Sequence, residues 1–191
     1  GAPPSRRRSL YTKFHGHTEW VTDVSHTPDG RVLSAGMDGK LCLWNASGPP
    51  RCAELLGHTG SVSRLAVSST GQHAVSTSYD KTVRVWAVGS SGGEAGCLRG
   101  HRAPVMHLAW SDRLLASADR DGCVLYWDAQ AGTATTVGKH RGHATALAAT
   151  ASAQLASGGQ DGRVSLYDCR MEGRAVASTT VHTGAVNDLL A

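Results

Sequence analysis

The sequence predicts an all-β chain assembled from four-stranded antiparallel units, and two observations carry that prediction. The first is repetition: the 191 residues hold four copies of one pattern, Ser followed four residues later by Asp and six after that by Trp or Tyr. The series are Ser34–Asp38–Trp44, Ser76–Asp80–Trp86, Ser117–Asp121–Trp127 and Ser157–Asp161–Tyr167. A histidine opens each copy (His17, His58, His101, His143) at 21, 22, 20 and 18 residues before the Asp, which puts the length variation in the loop between the first two strands. A period of about 40 residues is the mark of a repeat architecture. The second observation is local: apolar residues fall in short runs between turn signals, and no segment sustains helical periodicity.

In the first copy Val21 and Val24 mark one strand, Val32 and Leu33 a second, and Leu41 and Leu43 a third closed by Trp44. Pro28-Asp29-Gly30 and Asp38-Gly39 are turn sequences between them. Arg51–Leu56 forms a fourth run before the next histidine. Later copies place Thr70-Gly71, Asp80-Lys81, Asp121-Gly122 and Asp161-Gly162 at the same turns, with a Gly- and Ser-rich linker at Gly89–Gly96. Such a sheet has two apolar faces and cannot bury both alone, so neighbouring units must stack. Radial stacking gives a propeller.

These residues resemble the WD-repeat family of β-propellers, over roughly residues 10–191. The dipeptide that gives the family its name is completed by Asp128 and Asp168, whereas Asn45 and Ala87 stand there in the first two copies. The implied domain plan is a basic tail at 1–9 and one propeller segment at 10–191. Its repeats are about 15–56, 57–99, 100–141 and 142–181, with a partial fifth at 182–191. The resemblance implies a buried hydrogen-bonded chain in each copy, from Trp to Ser to His to the turn Asp. Matching positions gives Trp44–Ser34–His17–Asp38, Trp86–Ser76–His58–Asp80 and Trp127–Ser117–His101–Asp121. In the fourth set (His143, Ser157, Asp161, Tyr167) a phenol carries its donor at the ring tip, so an altered network and a less rigid unit are expected there.

Composition narrows the function classes. With 40% hydrophobic and 18% charged residues the chain is of the globular type. No apolar run reaches the ~18 residues of a membrane span. Three of the charges behind the net +4 come from Arg6, Arg7 and Arg8, so the repeats carry no broad basic field for nucleic acid. Five cysteines without a C-x-x-C pair indicate neither a disulfide framework nor a zinc site. They fit a reducing, cytoplasmic or nuclear setting, and no cofactor or metal is expected. A Ser–His–Asp triad occurs once per site and needs an exposed nucleophile; four evenly spaced copies indicate architecture.

The resemblance places partner binding on the loop face, at three positions per copy: three and five after the His, and just before the turn Asp. Trp20, Met37, Tyr79, Met106 and Arg120 are the residues there of types enriched at interface hot spots. Trp20 stands apart, since its counterparts are Ser61, Pro104 and Ala146. Trp110 reads as core. Tyr167-Asp168-Cys169-Arg170 resembles the end of the box by which some WD-repeat proteins dock onto cullin-RING ligase adaptors, with Arg170 as the contact. His107, His140 and His182 read as surface residues without metal-ligand spacing.

The expected function is a non-catalytic scaffold for protein or peptide partners within a multiprotein assembly. The alternatives are a cullin-RING substrate receptor and a ribonucleoprotein-associated propeller, with direct nucleic-acid binding disfavoured. Ser9–Phe14 reads as an outer strand, and His182 opens a fifth copy that stops at Ala191. An incomplete propeller is therefore expected. It would be a piece of a longer protein, a chain that pairs with another through open edges, or a short isoform or partly ordered chain in an assembly.

Overall fold

The computed structural model describes residues 16–45, 52–89, 92–111, 114–128, 131–150, 154–169 and 175–189. The strand readings at Ser9–Phe14, the Arg6–Arg8 cluster and Arg170 lie outside these residues. The first sheet is β1 (Val21–His26), β2 (Val32–Gly36), β3 (Leu41–Trp44) and β4 (Cys52–Leu55). The second is β5 (Val62–Val67), β6 (His73–Ser78), β7 (Thr82–Ala87) and β8 (Gly93–Arg99). The third is β9 (Val105–Ser111), β10 (Leu114–Asp119), β11 (Cys123–Asp128) and β12 (Thr133–Lys139), and the fourth β13 (Ala144–Ala149), β14 (Gln154–Gly159), β15 (Arg163–Asp168) and β16 (Ala175–Thr180). Each is an antiparallel meander in chain order, one blade of four strands. Of the linker expected at Gly89–Gly96, Gly93–Gly96 belongs to β8: the backbone of β7 pairs with it despite the glycines. Among the described residues no helix is long and apolar enough to cross a membrane.

The blades pack face against face in sequence, with β1, β5, β9 and β13 neighbouring one another in turn. Three cores lie between them. Leu33, Ala35 and Leu41 of the first blade meet Val62, Ala74 and Trp86 of the second. Val75, Val83 and Leu98 meet Val105, Leu115 and Trp127, with Trp110 packed alongside. Ala116, Ala118 and Val124 meet Ala144, Leu155 and Tyr167. Each junction thus holds the closing aromatic of its later blade. Val186 continues the series past the fourth blade, buried with its N–H on the Gly159 carbonyl at 3.1 Å.

A bulge starts every blade. The register shifts place Thr22, Ser63, Met106 and Thr145 as the extra residue of β1, β5, β9 and β13. A bulge frees its side chain from the ladder and re-aims it. Here three hydroxyls point at the next blade: Thr22 Oγ1 donates to the Val62 carbonyl at 2.7 Å, Ser63 Oγ to that of Val105 at 2.6 Å, and Thr145 Oγ1 to that of Val186. Met106 has no hydroxyl to offer, so the third-to-fourth junction lacks this bond.

Candidate functional site

Each blade is pinned by one polar chain whose direction follows from its ends. Trp can only donate and an ionised Asp can only accept, so Trp Nε1–H donates to Ser Oγ, the hydroxyl donates to His Nε2, and His Nδ1–H donates to Asp. In the first blade Trp44 Nε1 to Ser34 Oγ is 2.8 Å, Ser34 Oγ to His17 Nε2 2.8 Å, and His17 Nδ1 to Asp38 Oδ1 3.0 Å. In the second, Trp86, Ser76, His58 and Asp80 are linked at 2.8 Å throughout. The glycine before the histidine makes room: a Cβ at Gly57 would sit 3.1 Å from the Trp86 ring tip.

The third and fourth blades depart from the sequence assignment. His101 bonds Ser117 at 2.7 Å, and Trp127 bonds Ser117 at 2.7 Å, but the carboxylate on His101 Nδ1 is Asp119, at 2.8 Å. Asp121, expected there, is exposed at the turn. In the fourth blade the histidine is His140, not His143: its Nε2 lies 2.7 Å from Ser157 and its Nδ1 3.0 Å from Asp161. The surface reading of His140 is corrected with it, for the residue is buried. His143 is exposed and bonds the Arg120 carbonyl instead. Tyr167 Oη reaches Ser157 at 3.1 Å, so the phenol enters the chain through its tip. Its tip fills the space a Cβ would need at Gly138, 2.1 Å away. His107 is half-buried on β9, while His182 is exposed.

Burial and hydrogen bonding set the charge states. Burial alone would raise the Asp80 carboxyl, but the Thr82 hydroxyl, His58 and the Thr59 N–H outweigh it and hold it at about 2. Asp38 and Asp161 are lowered in the same way, against burial, chiefly by the N–H groups of Thr18 and Arg141 and by their histidines. Burial lowers His58 and His101, against the pull of Asp80 and Asp119. In the second blade a neutral His58 imidazole therefore sits beside the Asp80 carboxylate, and burial favours the neutral ring of His101 in the third. The serines of the four chains, Ser34 at 5% exposure and Ser76, Ser117 and Ser157 at 0%, have no surface on which to meet a substrate. His101, Asp119 and Cys123 cluster tightly enough to suggest a metal. Both ring nitrogens of His101 are already engaged, however, and burial pushes the Cys123 thiol up, away from the thiolate a metal needs.

The surface that differs between blades is the loop face. With the fourth histidine at 140, the position three after it is occupied by Trp20, Ser61, Pro104 and His143. The position before the turn carries Met37, Tyr79, Arg120 and Gln160. Within each blade the second donates its N–H to the carbonyl of the first: Met37 to Trp20 at 2.9 Å, Tyr79 to Ser61 at 2.9 Å, Arg120 to Pro104 at 2.9 Å and Gln160 to His143 at 2.8 Å. Between blades, Ser61 Oγ donates to the Met37 carbonyl at 3.1 Å and His143 Nδ1 bonds that of Arg120. The sequence reading missed this lacing and, through the misplaced histidine, missed His143. Trp20 (79% exposed), Tyr79 (45%) and Met37 (43%) stand clear of it, and Arg120 is exposed. Met106 is half-buried at its bulge.

Comparison with known proteins bears on the whole arrangement. The repeat described as "WD domain, G-beta repeat" matches residues 8–45, 50–87 and 92–128. A ribosome biogenesis protein WDR12 homolog of Chlamydomonas reinhardtii is 31% identical over 208 aligned positions, covering 90% of this chain and 46% of that protein. A guanine nucleotide-binding protein subunit beta of Arabidopsis thaliana is 29% identical, covering 91% of this chain and 51% of its own. Telomerase protein component 1 of Rattus norvegicus is 27% identical over 85% of this chain and 6% of its own length. The chain thus spans about half or less of the relatives it matches. Proteins with these repeats are generally non-catalytic and work in multiprotein assemblies. With the matched repeats covering more than half of its length and a buried polar chain in every blade, this chain belongs to the WD40-repeat family.

Proposed function

We propose that this chain is a non-catalytic scaffold that recruits protein partners through its loop face, with Trp20, Met37, Tyr79 and Arg120 as the contact residues and Met106 bordering them. The observation that carries the reading is Trp20, 79% exposed at a position where the other blades have Ser61, Pro104 and His143. An exposed indole costs solvation and serves no blade, while Trp is the side chain most enriched at binding hot spots. The laced backbone beneath holds it in place, which lowers the ordering cost of association. Trp20→Ala and Tyr79→Ala are expected to abolish partner co-purification while circular dichroism and melting temperature stay unchanged. Unaltered co-purification by both variants refutes the face.

A second reading concerns the setting. Two relatives bear the names of ribosome biogenesis and of telomerase, which favours a ribonucleoprotein-associated assembly in the nucleus or cytoplasm. Partner contacts there would be to protein. Sedimentation of the tagged protein with large RNase-sensitive particles tests it, and migration only in RNase-resistant fractions counts against it.

A further inference from the structure

We propose that the loop face takes an acidic peptide segment with an apolar anchor, the anchor seated on Trp20, Met37 and Tyr79 and the carboxylates on Arg102, Arg120 and Arg141. The inference rests on the reading of this face as the partner surface and adds the chemistry of what binds. The face has two halves. On the first and second blades the large exposed side chains are Trp20, Met37 and Tyr79, with Glu19 and Lys81 as the exposed charges beside them. On the third and fourth, Arg102, Arg120 and Arg141 are all exposed, and none is held in an ion pair among the described residues.

Two carboxylates close to those arginines are committed elsewhere. Asp119 is buried on His101, and Asp161 holds His140 and the Arg141 N–H, at 3.0 and 2.9 Å. Asp121 is the exposed carboxylate on these loops, against three guanidiniums. A planar guanidinium with free donors pairs best with carboxylate or phosphate. Position is fixed too: the Arg120 N–H bonds Pro104, and its carbonyl is held by His143. A ligand therefore meets a charge whose backbone is already ordered.

The apolar half decides between a peptide and a nucleic acid. A base stacked on Trp20 would bring its phosphates against Glu19, the adjacent exposed carboxylate, and the first-blade loops carry no exposed cation among the described residues. A peptide meets no such conflict, since its acidic residues can lie several positions from its anchor.

The test is selection of phage-displayed random peptides on the full chain, followed by fluorescence anisotropy with the selected peptide made synthetically. The expected peptides combine an aromatic or aliphatic residue with a cluster of Asp or Glu. Trp20→Ala is expected to abolish binding, and Arg120→Glu with Arg141→Glu to weaken it by roughly tenfold or more, less so at high salt. Peptides that need Trp20 but show no acidic enrichment, with affinity indifferent to the charge reversals, overturn the inference and leave the face reading standing. Peptides that bind Trp20→Ala as well as the native chain overturn both. An empty selection overturns the inference. So does binding of a single-stranded oligonucleotide that the charge reversals abolish.

Discussion

Asp119 Oδ2 lies 2.8 Å from His101 Nδ1, in the place that a turn carboxylate takes in every other blade. Its second oxygen accepts the N–H groups of Asp121 at 3.0 Å and Cys123 at 2.9 Å, so the strand residue also does the turn's capping. The positions matching 119 are Gly36, Ser78 and Gly159. A Cβ at Gly36 would come within 2.3 Å of His17 Nδ1, and one at Gly159 within 2.3 Å of His140 Nδ1. In those blades the imidazole lies over bare backbone and the acid reaches in from the turn. In the third, a side chain occupies the space and supplies the acid itself.

Removing a buried, paired carboxylate strands its imidazole, so Asp119→Ala is expected to cost about 3 kcal/mol in denaturant unfolding. Asp121→Ala is exposed and is expected to cost under about 0.5 kcal/mol. Asp119→Gly recreates the Gly36–Asp38 arrangement and lets Asp121 move onto His101. It is expected to be more stable than Asp119→Ala, and the gain should vanish in Asp119→Gly with Asp121→Ala. Equal losses from Asp119→Ala and Asp121→Ala would show that the turn carboxylate holds the histidine after all.

The exposure of Trp20 has an optical counterpart. Trp86 and Trp127 are 0% and 2% exposed, against 79% for Trp20. Acrylamide is expected to quench a red-shifted fraction of the tryptophan emission first, and Trp20→Phe to remove most of that fraction with no change in melting temperature. If the easily quenched fraction survives the substitution, Trp20 is covered in solution.

The blade plan was legible because its signals are periodic and local: the Ser–Asp–Trp spacing, the turn sequences and the strand runs needed no tertiary knowledge. Two chain members were misread for one reason, that sequence motif and spatial role come apart where an insertion or an exchange is compensated nearby. Gly142-His143 copies the Gly-His opening of the other blades, while the residue that folds into the core is His140. Its 21-residue distance to Asp161 equals that of His17 to Asp38, and was the signal available. Asp119 carried a subtler one, an acid where two other copies have glycine. The lacing of Met37 to Trp20 and of Ser61 to Met37 left no trace, because backbone carbonyls carry no sequence identity.

The turn at Asp80-Lys81 offers a gain of stability. Lys81 has φ 71°, where Gly39, Gly122 and Gly162 have 77°, 82° and 72°. A left-handed backbone costs an L-residue roughly 1–2 kcal/mol, and glycine returns part of it as extra freedom in the unfolded chain. Lys81→Gly is expected to stabilise the protein by about 0.5–1 kcal/mol, and Lys81→Ala to give none of that. A destabilised Lys81→Gly would mean that the lysine side chain makes a contact worth more than the strain.

Acid sensitivity should begin at His107. Burial, and then Arg64 on β5, lower its imidazole to about 4 from 6.5, with Asp188 opposing. The unfolded chain therefore binds a proton near pH 6.5 that the folded chain refuses until about pH 4. The sign follows: stability is full above pH 6.5, falls as pH drops from there to about 4, and loses nothing further through this group below it. His58 and His101 are lowered in the same direction and add to the fall, whereas Asp80 acts later, its contribution being lost as pH drops from 3.8 toward 2. Urea unfolding at a series of pH values is expected to show this slope, and His107→Gln to reduce it by up to one proton, about 1.4 kcal/mol per pH unit. Arg64→Gln should raise the His107 midpoint and narrow the window from below. An unchanged slope in His107→Gln would show that the ring takes up its proton in the folded state as easily as in the unfolded one.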